Sequence, residues 1–379
     1  MTHKGEVSLN SGRIIKLFAG TASKRLGERI VEHLKRELPE SGGLKFLEKY
    51  RLSDITVKKF SNDNIFVRLE ETVREADTYI IQSSGIPVND RFMELLITID
   101  AMRRSSAGRI TAIVPYLPYS RSDKIDQPRV PLTARLVADL IEAAGADHVV
   151  VMDLHADQIQ GYFNIPVDHL KATSVLASYV EENYLHTIPE EELKDWIVIS
   201  PDAGSAKRAQ NFASILGLPL AVVLKERTGN NDKSEVMHVI GDIDGKNAIL
   251  FDDEIDTAGS MMNAITSLCE NFGVKQVIAV ATHGIFSGPA IRRIESNPYL
   301  KSVVVTDTLD VPEKGETCCR TYSSDGKMIH DEVLVTKINV CSISELLAAT
   351  IRSIHLGESV THLYERWEIN EPRKDKGRK

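Results

Sequence analysis

Surplus positive charge is what this sequence of 379 residues most plainly lacks: 46 Lys and Arg stand against 54 Asp and Glu, a formal net charge of -8. A protein that grips a nucleic-acid backbone needs excess cations over a broad surface, so that class is excluded; a local site for one phosphorylated metabolite is not. Cysteine is scarce, with Cys269, Cys318, Cys319 and Cys341 the only four. Their spacing fits no metal site and two are adjacent, which suits a reducing compartment better than a disulfide framework. Long apolar runs are missing too, since nothing approaches the roughly 20 residues of a membrane-spanning helix. The opening MTHKGEVSLNSGR has no apolar core of the kind a signal peptide carries. No short repeat, low-complexity tract or Gly/Ser linker occurs. The run from Arg373 to Lys379 is almost wholly basic and reads as a solvated tail. The expectation is a soluble, cytoplasmic protein with neither membrane nor nucleic acid as partner.

What is present is an ordinary globular balance, 42% hydrophobic and 26% charged. Short β-branched apolar runs recur at 14–19, 79–82, 110–115, 149–153, 197–200, 220–224, 248–251, 277–281 and 303–306. Runs of this length read as strands buried on both faces, as in parallel sheets. Between them lie amphipathic stretches. One is 24–38, with Leu26, Ile30 and Leu34 on one face; another is 133–144, with Leu136, Val137, Leu140 and Ile141 on one face. Alternation of this kind along the chain predicts an α/β fold built as two similar doubly wound parallel-sheet domains. The length supports two domains. The division falls near 171–174, giving an N-terminal domain over 12–172, with a C-terminal segment of about 345–370 packing back on it, and a second domain over 173–344. Segments 39–52, 182–194 and 312–331 are charged, lack a sustained strand pattern and read as surface excursions. In such folds ligands sit beyond the carboxyl ends of the strands, so the polar residues after each apolar run are where chemistry is sought.

The strongest such signal is AILFDDEIDTAGSM, Ala248 to Met261. A buried strand ends in Asp252 and Asp253, and the loop Asp256, Thr257, Ala258, Gly259, Ser260 opens a helix. Small residues let backbone N–H groups close on an anion, and a helix N-terminus favours negative charge. Two carboxylates beside a phosphate would repel it unless they face something else, and vicinal sugar hydroxyls are suitable partners. The loop therefore reads as a site for a phosphorylated pentose; the plainer alternative is an acidic turn before a capped helix.

This strand-DD-x-x-DTAG[ST] element resembles the phosphoribosyl-binding loop shared by type I phosphoribosyltransferases and ribose-phosphate diphosphokinases. Further segments resemble the diphosphokinases alone: VMDLHADQIQGYFNIPVD, PYLPYSRSDKIDQPRVPLTARLVADL, ISPDAGSAKR, LKER and THGIFSGPA. The likeness runs in order from about Ile14 to Leu363. It implies the type I phosphoribosyltransferase kind of fold in each domain. It also implies transfer of a diphosphate from Mg-ATP to ribose 5-phosphate, for nucleotide biosynthesis, in a dimer-based homo-oligomer up to a hexamer.

Residue by residue, the resemblance assigns Asp252, Asp253, Asp256, Thr257, Ala258, Gly259, Ser260 and Arg227 to ribose 5-phosphate. From spacing alone, Asp153 and His155 share one side of an extended chain, and His155 reads as a strand-end hydrogen-bonding group, because magnesium prefers oxygen ligands. The resemblance instead makes His155 and Asp202 metal ligands, with Asp153 and Asp168 at acidic positions also associated with metal. A neighbouring acidic position of some members is Asn164 here. Lys225 and Arg227 are implied to be catalytic, where an unrelated Lys-Glu-Arg would be a solvated loop; preorganised cations suit charge developing on phosphoryl oxygens. The polar stretch 228–232 would be a lid. Arg121 matches an ATP-binding Arg-Gln pair, but Ser122 replaces the glutamine. In KFSNDN, Phe60 would stack on adenine, unless it is a core residue, and Asn62 would meet the base edge. Asn64 stands where members usually carry Glu, which points to altered nucleotide selectivity. Thr72, Arg74, Ser359 and Thr361 resemble a regulatory phosphate site between subunits, or else are a surface turn and a helix end. Two other functions stay open: a catalytically silent relative that regulates an active subunit, favoured by Asn64, Ser122 and Ile125, and a type I phosphoribosyltransferase, which would leave the ATP-side segments idle.

Overall fold

A computed structural model describes residues 14–37, 51–227, 235–318, 321–322, 328–329, 332–361 and 363. The expectations for the two termini, for most of 39–52, for the lid over 228–232 and for much of 312–331 lie outside the described residues. The chain divides into two units, one closing at Leu170 and including Ile343–Leu363, the other running Lys171–Ser342.

The first unit is built on five parallel strands. β1 (Ile15–Ala19) leads through α1 (Lys24–Glu37) to an antiparallel pair, β2 (Ile55–Lys59) and β3 (Ile65–Leu69), which forms its own small sheet. Then follow β4 (Asp77–Ile81), α2 (Val88–Arg104), β5 (Arg109–Val114), α3 (Thr133–Ala144), β6 (His148–Met152) and β7 (Val167–Leu170), and the sheet order is β1-β4-β5-β6-β7. Every residue of β4 is buried, because helices cover both faces of a sheet of this kind.

Leu26, Ile30 and Leu34 of α1 are buried as the spacing predicts. The expected face of α3 is corrected. Ala134, Val137, Ala138 and Ile141 are its buried side, whereas Leu136 and Leu140 are 53% and 39% exposed. Two alanines fit close against the sheet, and the larger leucines flank that stripe. The helix stops at Gly145, whose φ of 114° suits a residue without Cβ.

The second unit repeats this plan. α4 (Thr173–Val180) runs into a π-helical turn, Glu181–Leu185, and the four-residue α5 (Glu190–Leu193) follows. Segment 182–194 is therefore short helical turns and not a strand. β8 (Trp196–Ser200), α6 (Ala206–Leu216), the antiparallel pair β9 (Leu220–Arg227) and β10 (Glu235–Ile240), β11 (Asn247–Ile255), α7 (Gly259–Phe272), β12 (Gln276–Gly284), α8 (Ala290–Ser296), β13 (Leu300–Thr306) and a last strand Ile338–Cys341 complete it. The seven-stranded order is β10-β9-β8-β11-β12-β13 and then Ile338–Cys341. Here the hairpin joins the main sheet, and β10 is its antiparallel edge. The α/β fold with parallel sheets is as the alternation predicts. Strands β2, β3, β7 and β10 were not legible as apolar runs, since each carries polar residues on a less buried face or edge.

The segment Ile343–Leu363 is fastened to the first unit by charge as well as by apolar packing. α9 (Ser344–Leu356) brings His355 Nδ1 to 2.7 Å from Asp77 Oδ2. Arg109 Nε donates to the other Asp77 oxygen at 2.7 Å, and the Tyr79 hydroxyl donates to Asp77 at 2.9 Å. Burial pushes the Asp77 carboxyl up, but hydrogen bonds from His355 and Arg109 and the Arg109 charge outweigh it, holding the group below its usual value.

Candidate active site

β11 keeps its strand form through Ile255, past Phe251 where the apolar run stops. Carboxylates are expensive inside a sheet unless they are paired. Both are. The Ser205 hydroxyl donates to Asp252 Oδ1 at 3.0 Å, and Arg208 Nη1 lies 3.1 Å from Asp253 Oδ2. Burial first, and the neighbouring Asp253 charge second, push the Asp252 carboxyl up to about 7. Ser205 and Arg208 belong to SPDAGSAKR, so two separate motifs meet at the carboxyl edge of adjacent parallel strands, β8 and β11. Asp202, in the same turn, is exposed and accepts the Ser205 N–H at 2.8 Å through Oδ1.

Beyond β11 the chain turns sharply. Ala258 has φ 57°, a left-handed conformation costing an alanine about 1–2 kcal/mol. Such strain persists where the surroundings over-determine it, and it clusters at ligand sites. Ser287 N–H donates to the Asp256 carbonyl at 3.1 Å, and Arg293 Nη1 to the Thr257 carbonyl at 2.9 Å. These contacts hold the loop's carbonyls outward. The N–H groups of Thr257, Ala258, Gly259 and Ser260 find no acceptor among the described residues. They open, with two exposed hydroxyls from Thr257 and Ser260, onto the N-terminus of a 14-residue helix. Open N–H donors at a helix start form an anion cradle. Arg293, Ser205 and Arg208 were missed from sequence because nothing in their local spacing ties them to the loop; only the fold does.

The first unit carries its own set of strand-end residues. Asp153 is buried and Leu154 likewise, whereas His155 is exposed. The expectation that Asp153 and His155 share a side of an extended chain is therefore corrected: extension ends at Met152, and Asp153 has φ 36°. His169 supports this turn. Its Nε2 accepts the Leu154 N–H at 2.9 Å, and its Nδ1 lies 3.6 Å from Asp157 Oδ1. Asp168 does not join the turn. It pairs with His148 Nε2 at 3.0 Å and sits level with Val150, about 10 Å down the strand from Asp153. Asn164 is tied to α3 instead, its Nδ2 donating to Glu142 at 2.9 Å.

Arg121 is exposed on the loop after β5. Ser122 serves that loop through its backbone: its N–H donates to Tyr119 O at 2.9 Å, and its carbonyl accepts the Ala134 N–H at 3.1 Å. Phe60 sits at the β2–β3 tip, 55% exposed, and meets Phe66 edge-on at 5.9 Å between ring centroids. The alternative of a core phenylalanine is thereby removed. Asn62 and Asn64 are exposed on the same tip, where Asn62 Oδ1 accepts the Asn64 N–H at 3.3 Å. Lys59 braces the tip, bonding Asp90 of α2 at 3.0 Å and Asp63 at 3.1 Å. Thr72, Arg74, Ser359 and Thr361 are all exposed in this unit. Thr72 and Ser359 each accept, through the hydroxyl, the N–H two residues on, at 3.5 and 3.2 Å. The backbones of Lys225 and Arg227 lie in β9, but the roles expected of their side chains fall outside the described residues.

Asp153 and His155 follow β6 in the first unit and Asp202 follows β8 in the second. The Asp153 and Asp202 carboxylates are the oxygen donors magnesium prefers, with the His155 imidazole a minority type, and among the described residues no three His, Cys, Asp or Glu side chains gather into a metal-holding group. Among the described residues no helix is long and apolar enough to cross a membrane.

Two family models match the sequence. One, the N-terminal domain of ribose phosphate pyrophosphokinase, matches residues 15–145. The other, the phosphoribosyl synthetase-associated domain, matches residues 230–365. Among curated relatives, the ribose-phosphate pyrophosphokinase of Aquifex aeolicus is 45% identical over 350 residues, covering 92% of this chain and 99% of its own. That of Caldanaerobacter subterraneus subsp. tengcongensis is also 45% identical over 350 residues, covering 92% and 98%. Among solved structures, phosphoribosylpyrophosphate synthetase from Mycobacterium smegmatis matches with a TM-score of 0.73 at 39% identity, covering 90% of this chain and 99% of its own.

Proposed function

The chain belongs to the ribose-phosphate pyrophosphokinase family, and from that premise we propose that it transfers the β,γ-diphosphate of Mg-ATP to the anomeric hydroxyl of ribose 5-phosphate. The anomeric oxygen forms a bond to the β-phosphorus as the bridge between the α- and β-phosphates breaks. The products are phosphoribosyl diphosphate and AMP. No covalent enzyme intermediate is required, because positioning and charge stabilisation suffice for phosphoryl-type transfer.

The observation that carries the reading is the open turn. Four consecutive N–H donors, two hydroxyls and a helix start suit a 5-phosphate, while the paired Asp252 and Asp253 on the approaching strand suit ribose hydroxyls. Asp256 to Ser260 would hold the phosphate. Lys225, Arg227 and Arg121 would stabilise charge developing on the transferred diphosphate. His155, Asp202 and Asp153 would hold magnesium, which when bound screens the ATP phosphates. Phe60, Asn62 and Asn64 would meet the adenine, and the exposure of the β2–β3 tip supports that use. Asn64 and Ser122 leave this nucleotide pocket without the family's usual Glu and Gln, so relaxed selectivity among nucleoside triphosphates belongs to the proposal. Thr72, Arg74, Ser359 and Thr361 would form a regulatory phosphate site. The enzyme would work in the cytoplasm as a dimer-based homo-oligomer.

The test is release of products. Purified chain with ribose 5-phosphate and Mg-ATP should give AMP and phosphoribosyl diphosphate in equal amounts. ATP left intact by well-folded protein would instead make the chain a regulatory subunit. Lys225→Ala should lower turnover by about a hundredfold or more while leaving the thermal midpoint in place; unchanged turnover would remove Lys225 from the mechanism.

A further inference from the structure

We propose that Arg293 is a positioning residue for the sugar phosphate and the source of the local positive charge that selects a phosphorylated sugar; this rests on the reading of the open turn as the 5-phosphate site. No motif points to it. Arg293 lies on α8, 36 residues beyond Thr257 in sequence, and reaches back to the turn through the fold. Its Nη1 donates to the Thr257 carbonyl at 2.9 Å. A Cβ built on Gly259 would stand only 3.1 Å from the same nitrogen, so the guanidinium lies directly against the start of α7. A side chain at position 259 would require the guanidinium to give by a few tenths of an ångström.

Two consequences follow from that placement. The carbonyl of Thr257 is pinned away from the cradle, which keeps the next N–H groups turned toward it and maintains the left-handed Ala258. The guanidinium also keeps most of its charge available. It has five N–H donors, and its contact with Thr257 is the only bond its side chain makes among the described residues, with no carboxylate in ion-pair range. Arg293 is exposed, and among the described residues its side chain is anchored by backbone and not by a carboxylate. The strand and turn together present Asp252, Asp253 and Asp256, carboxylates that repel a phosphate dianion wherever their charge is not offset, as that of Asp253 is by Arg208. A helix start contributes only about half a positive charge. A fixed, unneutralised arginine at the mouth supplies the balance, and its planar fork matches phosphate oxygens.

Equilibrium binding of ribose 5-phosphate, measured calorimetrically on the full chain, tests this together with steady-state kinetics. Arg293→Ala should weaken ribose 5-phosphate binding about ten- to a hundredfold and raise its KM in step, with kcat and the KM for Mg-ATP changed less than about twofold. Arg293→Lys keeps the charge and loses the fork, so it should fall between wild type and Arg293→Ala; it also serves if the alanine variant does not fold. Unchanged ribose 5-phosphate affinity in either variant would overturn the assignment. So would a parallel change in kcat and both KM values, since a general loss of structure moves all three. Normal AMP release with no response to Arg293 would sink this inference alone. Ribose 5-phosphate binding that responds to Arg293 without AMP release would sink the proposed reaction and uphold Arg293.

Discussion

The two units run through the same order of strand, helix, hairpin, strand, helix, strand, helix, strand, yet the first unit's β1–α1 turn and the second unit's β11–α7 turn treat their N–H groups in opposite ways. In the first unit the β1–α1 turn is closed by the protein itself. Thr21 N–H donates to Glu94 Oε1 at 2.7 Å, Ala22 N–H donates to Gln82 Oε1 at 3.2 Å, and Gly20 approaches Gln82 so closely that a Cβ would lie 2.3 Å from its oxygen. In the second unit the β11–α7 turn leaves its N–H groups open. A helix start must satisfy its donors somehow. Where buried side chains do so, the turn is finished structure; where none does, the donors are open to a ligand. One architecture thus yields a turn closed by Glu94 and Gln82 and a turn left open.

The largest expected effect comes from giving the open turn what the closed one has. Ser260→Glu would place a carboxylate over the cradle, much as Glu94 covers the β1–α1 turn. A glutamate in the first helical turn is compatible with α7, so folding should survive. The value of kcat/KM for ribose 5-phosphate should fall about a thousandfold, with the effect in KM at least as large as in kcat. A Ser260→Glu enzyme of near-normal KM would break the comparison, because the turn would not be where the phosphate sits.

The next contrast lies between two aspartates, Asp252 half-buried and Asp77 buried. Asp252 is held up to about 7 by burial and by Asp253. The native state then carries a proton that the unfolded chain, titrating near 4, has already lost. Stability from this group is therefore present below pH 4 and declines as pH rises to about 7, by at most roughly 4 kcal/mol. Asp77 in the first unit is lowered by His355 and Arg109 against its burial. Its contribution has the opposite sign, present above the unfolded value and lost as pH falls through the folded one. Asp252→Asn should accordingly stabilise the ligand-free protein more at pH 8 than at pH 5, while Asp77→Asn should destabilise it most above pH 5. Denaturant titrations at the two pH values read both. A pH-independent effect of Asp252→Asn would mean that the carboxyl ionises normally.

How legible this was in the sequence follows the same division. The buried strands and the α1 face were readable because burial on both sides leaves unbroken β-branched runs. The open turn was readable because its donors are contiguous backbone groups, so DTAGS carries the signal locally. What escaped was whatever depends on tertiary contact. Arg293 and Arg208 sit on helices whose spacing says nothing of what they reach. The stripe of α3 was misplaced by one residue because its alanines, not its leucines, fit the sheet. Asp153 and His155 looked like strand neighbours because no sequence pattern marks the left-handed residue that separates them.

Emptying the closed turn should have a smaller effect, confined to stability. Glu94 is 3% exposed and serves both the N–H and the hydroxyl of Thr21. Glu94→Ala strands those donors and should lower unfolding free energy by about 1–3 kcal/mol, measured by denaturant unfolding. The KM for ribose 5-phosphate should stay within about twofold of wild type. A rise matching that of Arg293→Ala would show that the first unit's turn shapes the sugar-phosphate site after all.

The smallest effect should fall on metal alone. His169 Nε2 accepts the Leu154 N–H, and that bond fixes the turn from which His155 projects. An asparagine offers a carbonyl that can take the same N–H, whereas a leucine of similar size offers none. His169→Leu should raise the magnesium concentration needed for half-maximal activity about three- to tenfold, and His169→Asn should restore much of it. Ribose 5-phosphate affinity should be the same in both, because the bond lies in the first unit and the open β11–α7 turn in the second. If the two variants shift magnesium demand equally, the hydrogen bond is not what orients His155, and volume at position 169 would be the controlling factor.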